Sequence, residues 1–205
     1  MLNVSGLHLW RGDRHVLRNL SFSADAGQCV LLTGKNGAGK TTLLRAIAGL
    51  LDPEEGQVFW RGAPARQARD SFHAELAYLG HEPALKGDLS ARENLRYSIG
   101  IRRAVGTDEI DAALIRTGAG AFSDRAVRLL SAGQRRRVAL AGVLLSGAVL
   151  WLLDEPTTNL DTDGQQLVAT LIEEQVGRGG IVVAAVHHSL SLAAGGLVSL
   201  ELGSA

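Results

Sequence analysis

Residues 29–42, reading Cys-Val-Leu-Leu-Thr-Gly-Lys-Asn-Gly-Ala-Gly-Lys-Thr-Thr, leave this chain few folds to choose from. The uncharged run from Cys29 to Thr33 reads as a buried strand, followed by a glycine-rich loop and a helix that starts near Lys40. Gly34, Gly39, Lys40 and Thr41 stand at the spacing of a phosphate-binding loop. Glycines let successive backbone N–H groups turn inward around phosphate oxygens, where a side chain would block the approach. The helix that follows points its N-terminus, with unpaired N–H groups and partial positive charge, at the same anion. Gly34, Lys35, Asn36, Gly37, Ala38, Gly39, Lys40, Thr41 and Thr42 are therefore the candidate nucleotide-binding segment. Lys40 should reach the β- and γ-phosphates, and the Thr41 hydroxyl should sit on Mg²⁺.

The remaining sequence is expected to build a doubly wound frame around that loop. Residues 2–24 alternate loosely, with Arg11-Gly12-Asp13-Arg14 as a turn, and read as an antiparallel hairpin. The helix after the loop places Leu43, Leu44, Ile47, Ala48 and Leu51 on one face and stops within 49–53. A strand pair is expected around Val58-Phe59-Trp60 and a second buried strand over 74–79. Residues 84–128 are more polar and helical, opened by the capping box Ser90-x-x-Glu93, and suggest an inserted helical subdomain. A helix from Ser131 through Leu145, a strand over 149–153, a helix over 164–176 and strands over 181–186 and 198–202 complete the pattern. Strands alternating with helices argue a mostly parallel sheet covered on both faces.

Two shorter motifs carry chemistry. The apolar strand Leu150-Trp151-Leu152-Leu153 ends in Asp154-Glu155, at the edge where such sheets bind ligands. Asp154 could hold Mg²⁺ with Thr41, and Glu155 could orient or deprotonate an attacking water; read alone, the pair could equally be a solvated acidic turn. Leu130-Ser131-Ala132-Gly133-Gln134 is a small, hydroxyl-bearing helix start, weak by itself because serine is an ordinary N-cap. Lysine plus arginine equals aspartate plus glutamate at 21 each, so no net field recruits nucleic acid or anionic lipid. The triplet Arg135-Arg136-Arg137 is too short to argue otherwise. Cys29 has no partner for a disulfide, and no run reaches the ~20 apolar residues of a membrane span. A soluble, cytosolic chain that meets a membrane only through partners is expected.

In this order the motifs resemble those of the ATP-binding-cassette ATPases, the engines of ABC transporters. Residues 34–42 match its Walker A, 130–134 its signature, 150–155 its Walker B and 158–161 its D-loop; His187 matches its switch histidine, with His188 a bystander. The resemblance implies a P-loop NTPase (RecA-like) core with an N-terminal antiparallel β subdomain and an inserted α-helical subdomain, as one nucleotide-binding domain over 1–205. It further implies an ATP-sandwich homodimer, in which ATP on Lys40 and Thr41 of one copy is covered by Ser131, Gly133 and Gln134 of the other. Glu155 would be the base, His187 would contact the γ-phosphate, and Asp161 would communicate across the interface. Most members carry Gln where this chain has His81, a residue that senses Mg²⁺ and water, and an aromatic ring under adenine where this chain offers Trp10 or Arg11. The 80–95 loop and the 130–141 run look more narrowly like the ATP-binding subunits of haem exporters in cytochrome c maturation. That narrower likeness implies an integral-membrane permease subunit and a haem-handling membrane protein as partners, at the cytoplasmic face of the inner membrane. An exporter of a lipid or drug, or a soluble non-transport ATPase, remains the alternative.

Overall fold

A hairpin, β1 (Leu2–Arg11) and β2 (Arg14–Ala24), leads into the central strand β3 (Cys29–Thr33) and then the helix α1 (Lys40–Ile47). The computed structural model describes residues 1–186, 192 and 196–203 of the chain. After α1 come β4 (Glu55–Trp60), β5 (Ala63–Pro64), a short helix α2 (Arg69–Ala74) and β6 (Leu76–Leu79). Helices α3 (Ala91–Gly100), α4 (Thr107–Arg116) and α5 (Ala132–Leu145) precede β7 (Leu150–Asp154), α6 (Thr162–Gly177), β8 (Ile181–Ala185) and β9 (Leu197–Glu201).

These strands make two sheets. One is antiparallel, in the order β2-β1-β4-β5; the other is parallel, in the order β6-β7-β8-β3-β9. The inner parallel strands β3, β7 and β8 are apolar on both faces because both are covered, whereas the edge strand β9 is largely exposed. Val30 and Leu32 of β3, with Leu150 and Leu152 of β7, pack toward α1 and the antiparallel sheet. The alternate residues Leu31, Trp151 and Leu153 pack toward α5 and α6. Period-two alternation within each strand thus feeds two separate cores from one sheet.

A third core joins Leu95 and Ile99 of α3, Ile110 and Leu114 of α4, and Val138, Ala141 and Leu145 of α5. Meanwhile Leu140 and Val143 of α5 face the parallel sheet. A helix apolar on both sides is one that runs between two cores, and α5 does so. The expected Ser90–Glu93 capping box is present at α3, and a second, Ser131–Gln134, opens α5.

Several boundaries shift by one or two residues from the sequence reading, and two of the shifts have a clear physical cause. Helix α1 stops at Ile47 because the Gly49 N–H bonds the Ala46 carbonyl and the Leu50 N–H the Arg45 carbonyl, the paired bonds of a Schellman stop. Leu51 lies beyond the helix yet still packs on the same core. The strand expected from residue 74 begins at Leu76, because α2 takes the chain through Ala74. One side chain, Phe72, anchors that short helix, with its ring centroid 6.1 Å from Trp60. A single apolar residue leaves no periodicity to read.

Candidate functional site

Five parallel strands deliver their C-terminal ends to one edge, where sheets of this kind bind ligands. The glycine-rich loop leaves β3 at that edge. Gly34 has φ 128°, and a Cβ on it would lie 2.5 Å from the Leu202 carbonyl oxygen, so only glycine fits there. Lys40, 6% exposed, bends back so that Nζ donates to the Gly34 carbonyl at 2.7 Å and the Lys35 carbonyl at 3.4 Å. The ammonium is thus fastened to the loop it springs from.

Thr41 and Asp154 meet across 113 residues: the Thr41 hydroxyl donates to Asp154 Oδ1 at 3.1 Å. Asp154 is 1% exposed, and its Oδ2 has no hydrogen-bond partner among the described residues. Burial pushes its carboxyl above the ordinary range, against the Thr41 hydrogen bond that lowers it. A hydroxyl beside a buried carboxylate with a spare oxygen is an oxygen-rich donor pair, and it suits a hard divalent cation such as Mg²⁺. Water and nucleotide oxygens normally complete such a shell.

Glu155 follows with φ 50°, a left-handed backbone unusual for a residue with a side chain. Its N–H donates to the Ala185 carbonyl at 3.0 Å, and its Oε2 accepts from the Thr158 hydroxyl at 3.2 Å. His81 Nδ1 lies 3.3 Å from the same Oε2, with the ring 53% exposed. The residue that departs from the common pattern therefore sits against the candidate base. Loop residues 36–42, Arg11, Arg14, His81 and Glu155 wall a cavity of about 560 Å³. That size is ordinary for a small-molecule site.

The two adenine candidates part company here. Arg11 lines the cavity, whereas Trp10 stacks on His15 across the hairpin, rings 3.7 Å apart at 8°. Arg14 is a cavity residue that the sequence reading passed over; its Nη2 donates to the Gly37 carbonyl at 3.1 Å. The signal was its pairing with Arg11 in the hairpin, which puts two cations beside the loop.

Ser131, Gly133 and Gln134 take no part in that wall. The Ser131 hydroxyl accepts from the Gln134 N–H at 3.2 Å at the exposed start of α5. A Cβ on Gly133 would come 2.5 Å from the Asn159 carbonyl oxygen, so the signature packs tightly on the D-loop of its own chain. Asp161 caps α6 through the Gly164 N–H at 2.9 Å and accepts from Arg137 Nη2 at 2.8 Å. These contacts hold its carboxyl below the ordinary range. His187 and His188 lie outside the described residues.

Comparison with known proteins agrees with this geometry. The family model described as ABC transporter matches residues 17–158. The cytochrome c biogenesis ATP-binding export protein CcmA of Nitrosococcus oceani is 46% identical over 192 residues, 94% of this chain and 88% of the relative. CcmA of Methylococcus capsulatus is 45% identical over 93% of each chain. Among solved structures, cbiO1 of Clostridium perfringens, part of the ABC transporter complex cbiONQ, superposes with a TM-score of 0.75. That match has 28% identity and covers 91% of this chain and 78% of the other. Such likeness across nearly the whole length, on the fold and loop just described, is a matter of common descent: the chain belongs to the ABC transporter family, as an ATP-binding subunit that hydrolyses ATP.

Proposed function

We propose that this chain powers an exporter serving cytochrome c maturation, by hydrolysing Mg-ATP between two copies of itself. The observation that carries the reading is that 46% identity to a cytochrome c biogenesis export protein extends over 94% of the chain. Nucleotide motifs are common to many ABC ATPases. A match of that extent must also take in the 80–128 region, where partner specificity can differ.

The chemistry follows from the site. Thr41 and Asp154 would hold Mg²⁺, which would supply positive charge to offset that of the bound phosphates. Lys40 and the N–H groups of residues 34–42 hold the phosphates, and Arg14 adds a second cation over the loop. Glu155 Oε2 takes a proton from the attacking water, with Thr158 and His81 orienting the carboxylate. His187 is assigned to the γ-phosphate. The site is incomplete in one copy, because Ser131, Gly133 and Gln134 lie off the cavity wall. A head-to-tail homodimer supplies them from the second copy, and Asp161 lies at that junction. The whole chain then acts as one nucleotide-binding domain with its helical subdomain near 84–128.

Adenine is assigned to the Arg11 side of the cavity. Arg11→Ala is expected to weaken ATP binding by about 3- to 30-fold, and Trp10→Ala by less than about 2-fold. Titration with a fluorescent ATP analogue decides, and the opposite ranking would give the role to Trp10.

Among the described residues, no helix is long and apolar enough to cross a membrane. On this reading the engine works at the cytoplasmic face of the inner membrane through a permease subunit, with a haem-handling membrane protein in the same complex. One cysteine in the chain rules out a Cys-x-x-Cys-His haem attachment motif, and haem is assigned to the partners. Deleting the gene should leave c-type cytochromes without covalent haem, and the wild-type chain, pulled down with its permease, should restore it. Normal haem attachment in the deletion strain would favour a different cargo, such as a lipid or drug.

A further inference from the structure

The basic triplet at the start of α5 is not a solvated patch. Arg135 turns to the Leu130 carbonyl at 2.6 Å, and Arg137 to Asp161 and the Thr117 carbonyl. Arg136 goes inward and is 2% exposed, the largest fully buried side chain of the molecule's described residues. Its guanidinium reaches across the ends of two neighbouring parallel strands. Nη1 donates to the Gly80 carbonyl at 2.8 Å, just beyond β6. Nη2 donates to the Glu155 carbonyl at 2.8 Å and the Asp154 carbonyl at 3.3 Å, at the end of β7.

Each of those carbonyls borders a functional side chain. Gly80 precedes His81, and His81 meets the Glu155 carboxylate. Glu155 keeps its left-handed backbone only while its main-chain groups are pinned, its N–H by Ala185 and its carbonyl by Arg136 and the Thr158 N–H. Burial pulls the guanidinium's pKa down, while the charges of Asp154 and Glu155 pull it up. Five N–H donors spread over a rigid plane can bridge two strand ends at once; an ammonium carries its three donors on a single atom and spans less.

We infer that Arg136 is a positioning residue of the hydrolytic site, which sets the His81–Glu155 spacing and ties it to the helix that Ser131 caps. Because Ser131 and Arg136 share one helix, a displacement at the signature end moves the carbonyls behind His81 and Glu155 together. Each copy's signature would thereby adjust the base of its own site while covering the nucleotide of its neighbour. The inference rests on the reading of Glu155 as the base, and on no contact between Arg136 and nucleotide.

Steady-state hydrolysis by the 205-residue chain, with melting temperature measured alongside, tests it. Arg136→Met should lower kcat by about 100-fold and Arg136→Lys by about 10-fold, each with KM for ATP within about 2-fold of wild type. The loss that remains in the lysine variant, where the charge is kept, marks lost orientation rather than lost charge. If Arg136→Met does not fold, Arg136→Lys decides alone. Wild-type kcat in the folded variants overturns the inference. So does a loss in which KM and melting temperature deteriorate in step with kcat, the mark of a merely structural arginine. Glu155→Gln, run in parallel, separates the two readings. If it hydrolyses ATP normally, the base is misassigned; if it is inactive while the Arg136 variants are normal, only the arginine inference fails.

Discussion

Glu155→Gln is expected to reduce ATP hydrolysis by about 10²- to 10⁴-fold while leaving ATP binding intact, the range that a positioned general base contributes. The amide has the same shape as the carboxylate and can still meet the Thr158 hydroxyl and His81, which lie 3.2 and 3.3 Å from Oε2. What it cannot do is accept a proton from water. Binding without turnover should also hold two copies together in the proposed sandwich, since the triphosphate between them would no longer be consumed. In Mg-ATP the variant should elute from a sizing column as a dimer, while the wild type returns to monomer as ATP is spent. Hydrolysis at the wild-type rate would remove Glu155 from its role.

Lys40→Ala is expected to weaken ATP binding by about 10²- to 10⁴-fold, with turnover undetectable at ordinary ATP concentrations. The magnitude follows from removing charge-assisted hydrogen bonds to phosphate, each worth about 1.5–3 kcal/mol. A second effect adds to it. Nζ bonds the Gly34 and Lys35 carbonyls at 2.7 and 3.4 Å, so the lysine also braces the loop in its cradle shape. The alanine variant loses both the cation and the preorganised loop. A fluorescent nucleotide titration measures the change, and an affinity within about 3-fold of wild type would contradict the assignment.

Much of this molecule was readable along the chain because its signals are local. The strand–glycine–helix passage at 29–42 needs neighbours only a few residues apart, and so do the capping box at Ser90–Glu93 and the alternation of β1 and β2. The C-terminal end of α1 and the existence of α2 were less legible. The first rests on backbone bonds around Gly49, and the second on Phe72 alone. The roles within the basic triplet were hidden for a related reason. Three consecutive arginines look alike in a sequence, yet helical geometry sends them in three directions, and what each meets lies 5 to 56 residues away.

The order and spacing of the residues were enough to settle the fold class, the phosphate loop and the family, since each depends on short-range pattern. Only the packed molecule decided which side chains share a site. Thr41 finds Asp154 across 113 residues, His81 finds Glu155, and Arg11 rather than Trp10 faces the cavity. Those meetings depend on the parallel register of strands far apart in the chain and on which face of the hairpin turns inward. A one-dimensional pattern records the period of each element but not the partner that the finished core places opposite it.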